Sequence, residues 1–326
     1  MTESVIITGG LGFIGGHAVD LFVSKGYDVH IVDKCTYAAD ISKTRKKVKS
    51  VIYDDISTCN WMNILVDTRP SLIVNLAAES SVDMSIHSAH SFIQSNIAGV
   101  YSLVSGVRQY QEAMGNRVCV IHTSTDEVTG DTDVASDKEF TEKDKLSPNN
   151  PYSATKAAAE HILHSCRHTY GDVDYVIVRG CNNYGPGQHC EKFIPMVINN
   201  ALHNESIPIH GTGCNIREWI YVKDFARSFY FLYQQYQKNV ATVVGNTYNV
   251  GSGIRYTNTG MAKEILNKMC KPHELLKFGL DRPGNDRRYA VCSNKIQKLG
   301  FVNMYTHFHD NIINTIKDVE ERYAKG

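Results

Sequence analysis

The sequence predicts an α/β protein in which a doubly wound parallel sheet carries a smaller α/β lobe. Three observations lead there. Short, nearly continuous apolar runs alternate with helix-length segments through the first half of the chain, the pattern of parallel strands buried on both faces. A glycine-rich turn joins the first apolar run to the first helical segment. At 326 residues the chain is also near the length at which a single core divides into two.

Strands are expected at Ser4–Thr8, Asp28–Val32, Lys49–Tyr53, Ser71–Leu76, Arg117–Thr123 and Asp174–Arg179. Between them the apolar spacing predicts helices over Phe13–Lys25, Thr58–Thr68, Ser91–Met114 and Tyr152–Tyr170. Right-handed crossovers favour the doubly wound arrangement for such a series. After Asn182 a turn cluster, Asn182-Asn183-Tyr184-Gly185-Pro186-Gly187, breaks the alternation. Beyond it, helices are expected at Lys192–His203, Val222–Tyr236, Asn258–Met269 and His309–Tyr323, with a short strand at Ile207–His210. The division is therefore residues 1–181 for the sheet domain and 182–326 mainly for the lobe, with segments returning to the first domain.

Charge and cysteine usage narrow the function classes. Lys plus Arg and Asp plus Glu number 34 each, which weighs against a nucleic-acid binder or a polybasic membrane-surface protein. No run approaches the roughly 18 apolar residues of a membrane span. The nine cysteines are an odd number without CxxC spacing, and no basic leader precedes Val5-Ile6-Ile7. Free thiols in a cytoplasmic setting are the expectation.

The turn Thr8-Gly9-Gly10-Leu11-Gly12-Phe13-Ile14-Gly15 has both G-x-x-G-x-x-G and G-x-G-x-x-G spacing. Glycines there let the backbone turn tightly and approach a pyrophosphate, which the following helix N-terminus attracts. A glycine run alone can be no more than a tight strand-to-helix turn. Here Asp33 ends the second strand about 20 residues on, placed to accept from adenosine ribose hydroxyls and to repel a 2′-phosphate. The expected cofactor is NAD rather than NADP, on a Rossmann-type sheet, although the adjoining Lys34 pulls the other way.

Tyr152-Ser153-Ala154-Thr155-Lys156 opens the helix that follows the fifth strand. Its i,i+4 spacing places phenol and ammonium on one face. A phenol must fall from about 10 to near 7, roughly 4 kcal/mol, to act as a base at neutral pH, and positive neighbours push that way. Such a pair is common by chance; its position in a dinucleotide fold makes it a candidate for catalysis.

With these motifs the sequence resembles the extended short-chain dehydrogenase/reductases over nearly its whole length. Ser124-Thr125-Asp126-Glu127-Val128 is similar to the corresponding segment of the nucleoside-diphosphate-glucose 4,6-dehydratases. Epimerases of this fold lack the adjacent acids, and GDP-mannose dehydratases and decarboxylases have a lone Glu after Ser. The resemblance also covers Asn75-Leu76-Ala77-Ala78-Glu79-Ser80, Asn182 to Pro186, Glu191-Lys192-Phe193-Ile194-Pro195, Arg217 to Val222 and Arg282 to Tyr289.

The resemblance implies redox-neutral 4,6-dehydration. Tyr152, assisted by Lys156, takes the sugar O4 proton, Thr125 orients O4, Glu127 removes the C5 proton, and Asp126 protonates the departing 6-hydroxyl. Acid and base must differ in pKa, and both acids reach one sugar only if the chain bends, which Gly130 and the polar run beyond it permit. The implied cofactor contacts are Gly9, Gly12, Phe13, Ile14, Gly15, Asp33, Lys34, Asp55, Ile56, Leu76, Ala77, Ala78, Tyr152 and Lys156. The implied substrate contacts are Ser80, Thr125, Asn182, Lys192, Pro208, His210, Arg217, Asn249, Arg282 and Asn285.

Three positions depart from the common family pattern: Thr129, His210 and Asn285 stand where Tyr, Tyr and His are frequent. The last two resemble UDP-glucose dehydratases of rhamnose synthesis, so UDP-glucose is favoured over dTDP-glucose. The apolar helix bearing Ile93, Ile97, Val100, Leu103, Val104 and Val107 resembles, with the Tyr152 helix, the family's homodimer seam; burial against the sheet would explain it as well. His161, His164 and His168 share one helix, but no acidic partner accompanies them and no metal is expected. A 4-epimerase, a decarboxylase or a silent NAD-binding scaffold are the competing readings.

Overall fold

In a computed structural model of the protein, residues 2–40 and 48–323 are described. The strands in chain order are β1 (Ser4–Thr8), β2 (Asp28–Asp33), β3 (Ser50–Tyr53), β4 (Leu72–Asn75), β5 (Cys119–Thr125) and β6 (Asp174–Gly180). They continue with β7 (Asn182–Tyr184), β8 (Ile207–His210), β9 (Ile216–Tyr221), β10 (Asn246–Val250), β11 (Arg255–Thr257) and β12 (Leu276–Gly279). Seven of them form one parallel sheet in the order β10-β6-β5-β4-β1-β2-β3. The winding direction reverses between β1 and β4, which opens a crevice beyond the strands' C-terminal ends.

Alternation along the strands explains why they are apolar throughout. Val5, Ile7, Leu72, Val74, Cys119, Ile121, Val176 and Val178 point into one core, beneath the helices Phe13–Ser24 and Val222–Lys238. Ile6, Ile73, Val120, Tyr175 and Ile177 point into the other, beneath Trp61–Thr68, Gly99–Met114 and Pro151–Tyr170. Both faces are covered, so neither can be polar.

The lobe has its own core, formed by Tyr184, Ile194, Ile198, Trp219, Ile265, Phe308 and Ile312 among others. A three-stranded sheet (β11-β9-β7) and the parallel pair β12-β8 frame it, with helices Phe193–Leu202, Asn258–Lys268 and Phe308–Tyr323. Two segments of the second half return to the main sheet. β10 pairs with β6 at the sheet edge, and Val222–Lys238 shares the first core. Strands β7, β9, β10, β11 and β12 were not anticipated from the sequence, because runs such as Arg255–Thr257 are too short to show a period.

The predicted helix over 91–114 is interrupted. Residues Ile93–Ala98 form a π-helical segment, whose wide turn accommodates the buried Asn96. That side chain donates to Thr155 Oγ1 (2.9 Å) and to the Glu79 carbonyl (3.0 Å), and accepts from Glu79 N–H (2.9 Å). Such bulges often mark functional places, and this one braces the Pro151–Tyr170 helix.

Helices Trp61–Thr68 and Gly99–Met114 approach closely at Gly106, where an added Cβ would lie 2.3 Å from Trp61 Cβ. Trp61 cannot swing aside freely, since its indole N–H donates to the Ile56 carbonyl at 3.0 Å. Gly106→Ala should therefore destabilise the protein by about 1–3 kcal/mol, the usual penalty of overpacking, read as a lowered denaturation midpoint with an unchanged slope.

Candidate active site

A cleft of about 530 Å³ runs along the C-terminal ends of the strands, between sheet and lobe. Its floor is the glycine turn. Gly9 has φ +65°, and a Cβ on Gly15 would sit 2.0 Å from the Gly9 carbonyl oxygen, so neither position admits a side chain. Gly12 presents an open face to the cleft, with only Gly9 O near its absent Cβ. Phe13, Ile14, Leu76, Ala77, Ala78, Asp55 and Ile56 line the same stretch. The Thr8 hydroxyl accepts from Leu76 and Ala77 N–H (both 3.1 Å) and donates to Asn75 Oδ1 (2.6 Å), fixing the β4 end beside the turn.

Asp33 holds the rim of this floor, its two oxygens accepting from Leu11 N–H (3.0 Å) and Cys35 N–H (2.8 Å). Lys34 is turned away from any anion-binding role by its neighbours. Its ammonium donates to Ser95 Oγ (2.8 Å) and pairs with Glu79 (3.2 Å) and Asp55 (3.5 Å). Burial pushes the Asp55 carboxyl up, but hydrogen bonds from Ser57 and the Lys34 charge bring it below the ordinary value. The pull toward NADP that Lys34 suggested is thus cancelled by two carboxylates.

The strand β5 stops at Thr125, and Asp126–Thr129 is a single 3-10 turn. Thr125 caps it, accepting from Glu127 N–H (3.3 Å), and its hydroxyl donates to Asp126 Oδ1 (3.1 Å). The expected bend is therefore made at Asp126 itself, and Gly130, at φ +77°, closes it. Thr129, buried, donates to the Asp126 carbonyl (2.8 Å) and so locks the turn from within.

The two acids occupy different surroundings. Asp126 is 2% exposed, and its Oδ2 has no partner among the described residues. Burial, then Glu127 and Glu218, push its carboxyl well above the usual range, against the Thr125 hydrogen bond and Arg217. Glu127 lines the cleft and accepts from Asn150 Nδ2 at 3.1 Å. Burial also raises Glu127, while Asn150, Arg217 and Arg282 oppose the rise.

The helix N-terminus at Asn150 carries a capping box with Ser153, with Pro151 at its first position. Tyr152 and Lys156 both line the cleft one turn apart. Burial brings Lys156 down to about 8, with Glu160 opposing. Glu160 is itself held by a buried two-point pair with Arg179 at 2.9 and 2.7 Å. Tyr152 does not behave as its motif suggested: burial, then Glu127 and Asp126, raise its phenol, with only Thr125 opposing. In the protein alone burial is the largest influence on the phenol, and the two acids add to it.

The lobe supplies cations to the opposite wall. Lys192 donates across the cleft to Ser80 O (3.0 Å) and Oγ (3.3 Å). Arg217 lies 4.5 Å over the Tyr289 ring and donates to Asn285 Oδ1 (3.1 Å) and the Asp286 carbonyl (2.8 Å). Arg282 pairs with Asp83 at 3.2 Å and contacts Asn285 at 3.4 Å. Asn182, Pro208 and His210 line this wall as well. Asn249 does not. It is buried in β10 and donates to the carbonyls of Phe140 (2.9 Å) and Cys292 (3.5 Å), because the strand's return to the sheet edge turns it inward.

Asn150, Asn96, Tyr289 and Trp219 were missed by sequence reasoning. Asn150 had a signal of its own, an Asn before Pro with Ser three residues on, Trp219 and Tyr289 lie within segments that carry the family resemblance, and Asn96 had none. The three helical histidines show no ligand geometry: His164 Nδ1 bonds the Tyr175 hydroxyl (2.5 Å), and no metal-holding group of side chains occurs among the described residues. All nine cysteines are free, and no helix among the described residues is long and apolar enough to cross a membrane.

Several buried polar atoms on the cleft wall have no partner among the described residues: Ser124 Oγ, Asn183 Oδ1, Gln188 Oε1, Trp219 Nε1 and Arg282 Nε. Unsatisfied buried groups in a native cleft point to a polar ligand. With the glycine floor and the Asp33 rim, the lining fits a dinucleotide at one end and a phosphorylated sugar at the other.

This fold and cleft define an NAD-dependent short-chain dehydrogenase/reductase of the extended type, acting on a nucleotide sugar. The family profile described as GDP-mannose 4,6 dehydratase matches residues 6–312, and the chain belongs to that family. It is 35% identical to the dTDP-glucose 4,6-dehydratase of Haemophilus influenzae over 96% of this chain and 97% of that one. To an Escherichia coli dTDP-glucose 4,6-dehydratase it is 37% identical, over 96% and 92%. The crystal structure of DesIV, the dTDP-glucose 4,6-dehydratase of Streptomyces venezuelae with NAD and TYD bound, superposes with a TM-score of 0.89 at 30% identity, covering 99% and 98%.

The activity is accordingly NAD-dependent 4,6-dehydration of a nucleotide sugar, a hydro-lyase reaction. The lean toward UDP-glucose finds no support in these relatives, whose names carry dTDP-glucose.

The raised Asp126 carboxyl has a consequence for stability. Between its unfolded value, about 3.9, and its higher folded one, the folded state binds the extra proton, so stability falls as pH rises, by up to about 1.4 kcal/mol per pH unit. Asp126→Asn removes that titration. Its melting temperature should decline less than the wild type's from pH 4 to pH 8, and equal slopes would show that Asp126 ionises normally.

Proposed function

We propose that the chain converts a pyrimidine nucleoside-diphosphate-glucose to its 4-keto-6-deoxy product, with Tyr152, Glu127 and Asp126 as the proton-transfer groups. One observation supports this above the rest: two adjacent acids on a single turn, one buried with a free oxygen and one hydrogen-bonded at the cleft wall. An epimerase has no use for that pair.

NAD, when bound, accepts the hydride from sugar C4, returns it at C6, and brings a positive charge that lowers the neighbouring phenol. Tyr152 takes the O4 proton as the ketone forms, with Thr125 orienting O4 and the Lys156 ammonium favouring the phenolate. The new carbonyl acidifies C5, and Glu127 removes that proton. Asp126, protonated, delivers its proton to the 6-hydroxyl, which leaves as water. After reduction at C6, the proton held by Glu127 returns to C5. Gly9, Gly12, Gly15 and Asp33 hold the dinucleotide in this reading, and Lys192, Arg217 and Arg282 face the diphosphate as point charge and forks suited to phosphate oxygens.

The reading extends to a homodimer and a cytoplasmic setting. Most of the apolar helix is spent on the protein's own core, since Val100, Leu103, Val104 and Val107 are fully buried there. Ile93 and Tyr101, at 48% and 60% exposure, remain for a partner copy.

The product should weigh 18 Da less than the substrate per sugar, with no lasting absorbance at 340 nm. Glu127→Gln should abolish solvent exchange at C5, whereas Asp126→Asn should retain exchange and slow water loss. Each should lower turnover on the order of 10²–10⁴-fold, the usual worth of a positioned proton-transfer group. Stoichiometric NADH release would instead indicate a plain dehydrogenase.

For the base, dTDP-glucose is the first reading, supported by the names of the relatives. UDP-glucose is the second, and His210 favours it as a smaller, more polar group than the Tyr frequent there. Asn285 adds nothing to it: Oδ1 accepts from Arg217 and Arg282 and Nδ2 donates to Asp281 (2.7 Å), so its amide is committed within the protein. We expect kcat/KM for dTDP-glucose to exceed that for UDP-glucose by no more than about 5- to 150-fold, the range of one polar contact. A higher value for UDP-glucose, reversed by His210→Tyr, would select the second reading.

A further inference from the structure

Asn150 stands where two demands of the site meet. Its Oδ1 accepts from Ser153 N–H at 2.9 Å, capping the helix that carries Tyr152. Its Nδ2 donates to Glu127 Oε2 at 3.1 Å. The residue is 6% exposed and has little freedom. On one side Pro151 begins the helix, and on the other Asn149 donates to Asp286 Oδ1 (2.5 Å) and Asp131 Oδ1 (3.3 Å).

We propose that Asn150 is a positioning residue for the reaction: its amide ties the Glu127 carboxylate to the N-terminus of the Tyr152 helix and keeps that carboxylate ionised and aimed into the cleft. The proposal deepens the reading of Glu127 as the C5 base and rests on it. Chemistry selects the residue type. Ser, Asp and Asn all cap helices well. The amide is neutral and carries its acceptor and its donor on separate atoms, so one serves the helix and the other reaches the carboxylate. Serine would have to meet both partners from one oxygen on a shorter side chain, and ionised aspartate has only acceptors.

Glu127 is ringed by opposing influences. Burial and Asp286 stand against its charge, and Arg217 and Arg282 favour it. Asn150 supplies its hydrogen bond from another side chain. Loss of that donor raises the pH at which Glu127 becomes a base, because a bond to the charged form is what is lost. The same loss frees the carboxylate to rotate away from C5.

The test compares Asn150→Ser and Asn150→Asp with the wild type, each purified as the full chain with NAD. Three quantities are read: melting temperature, kcat against pH, and deuterium uptake at C5 from D₂O. Both variants keep a capping side chain, so melting should stay within a few degrees. The acid limb of kcat should move up by about one pH unit in Asn150→Ser, a tenfold loss below the limb, and further in Asn150→Asp. C5 exchange should slow on the order of 10–100-fold, less than loss of the base itself, with KM nearly unchanged.

An acid limb that stays in place in both variants overturns the proposal, since a purely structural cap alters the folded fraction and not the titration. Should Asn150→Asp melt too low to assay, Asn150→Ser in a Glu127→Gln background decides the matter. Its effect on residual turnover should then vanish, because the carboxylate it keeps ionised is gone, and a full additive loss overturns the proposal. If the wild type releases no water from either nucleotide-glucose, the dehydratase reading fails and takes this proposal with it. If it dehydrates and the limb is fixed, only the role of Asn150 is rejected.

Discussion

Successive residues of an extended strand point to opposite faces, so two adjacent carboxylates can serve one substrate only where the strand has already ended when the chain reaches them. In this protein that end falls between Thr125 and Asp126. The change from strand to 3-10 turn is held by three short contacts: Thr125 to Glu127 N–H, Thr129 to the Asp126 carbonyl, and Gly130 in a left-handed conformation against Ser147. The separate environments of the acids follow. Asp126 is swung beneath the cleft wall, where charge is disfavoured, and Glu127 emerges beside the helix that carries Tyr152.

A site of this kind concentrates polar groups where solvent is excluded, and the surrounding structure meets that demand with pairs and networks rather than apolar packing. The Arg179–Glu160 pair, at 4% and 0% side-chain exposure, joins β6 to the helix that carries Tyr152. Breaking one partner of such a pair leaves a buried charge uncompensated. Asn96 answers a related problem: a polar side chain in a buried helix finds its partners by widening the helix locally into a π-turn. Lys156 is left nearly alone in this setting, which is why burial dominates its titration.

Much of this was legible in the sequence. The strands of the main sheet were visible because residues facing both ways are apolar, and the floor of the cleft because backbone closeness at Gly9 and Gly15 excludes any side chain. The lobe was harder to read. β7, β9 and β11 owe their existence to pairing across distant parts of the chain, and their three to six residues carry no periodic signal. Asn249 was misplaced for the same reason: without β10 in view, nothing shows that the residue faces inward. The direction in which Tyr152 titrates was illegible because it depends first on burial, and then on acids 25 and 26 positions away that the fold brings alongside.

The wall-to-wall contacts of Lys192 with Ser80 and of Arg282 with Asp83 bear on which molecules the cleft admits. Both cations already have partners across the gap, so an entering molecule must displace them. A free hexose offers only hydroxyls in exchange for a carbonyl and a carboxylate, and gains little by the trade. A diphosphate brings two negative charges to the same cations and leaves the balance in its favour. With Lys192 and Arg282 facing the diphosphate as proposed, the mouth acts as a charge filter, one that needs no steric barrier to keep neutral sugars from competing with a charged one.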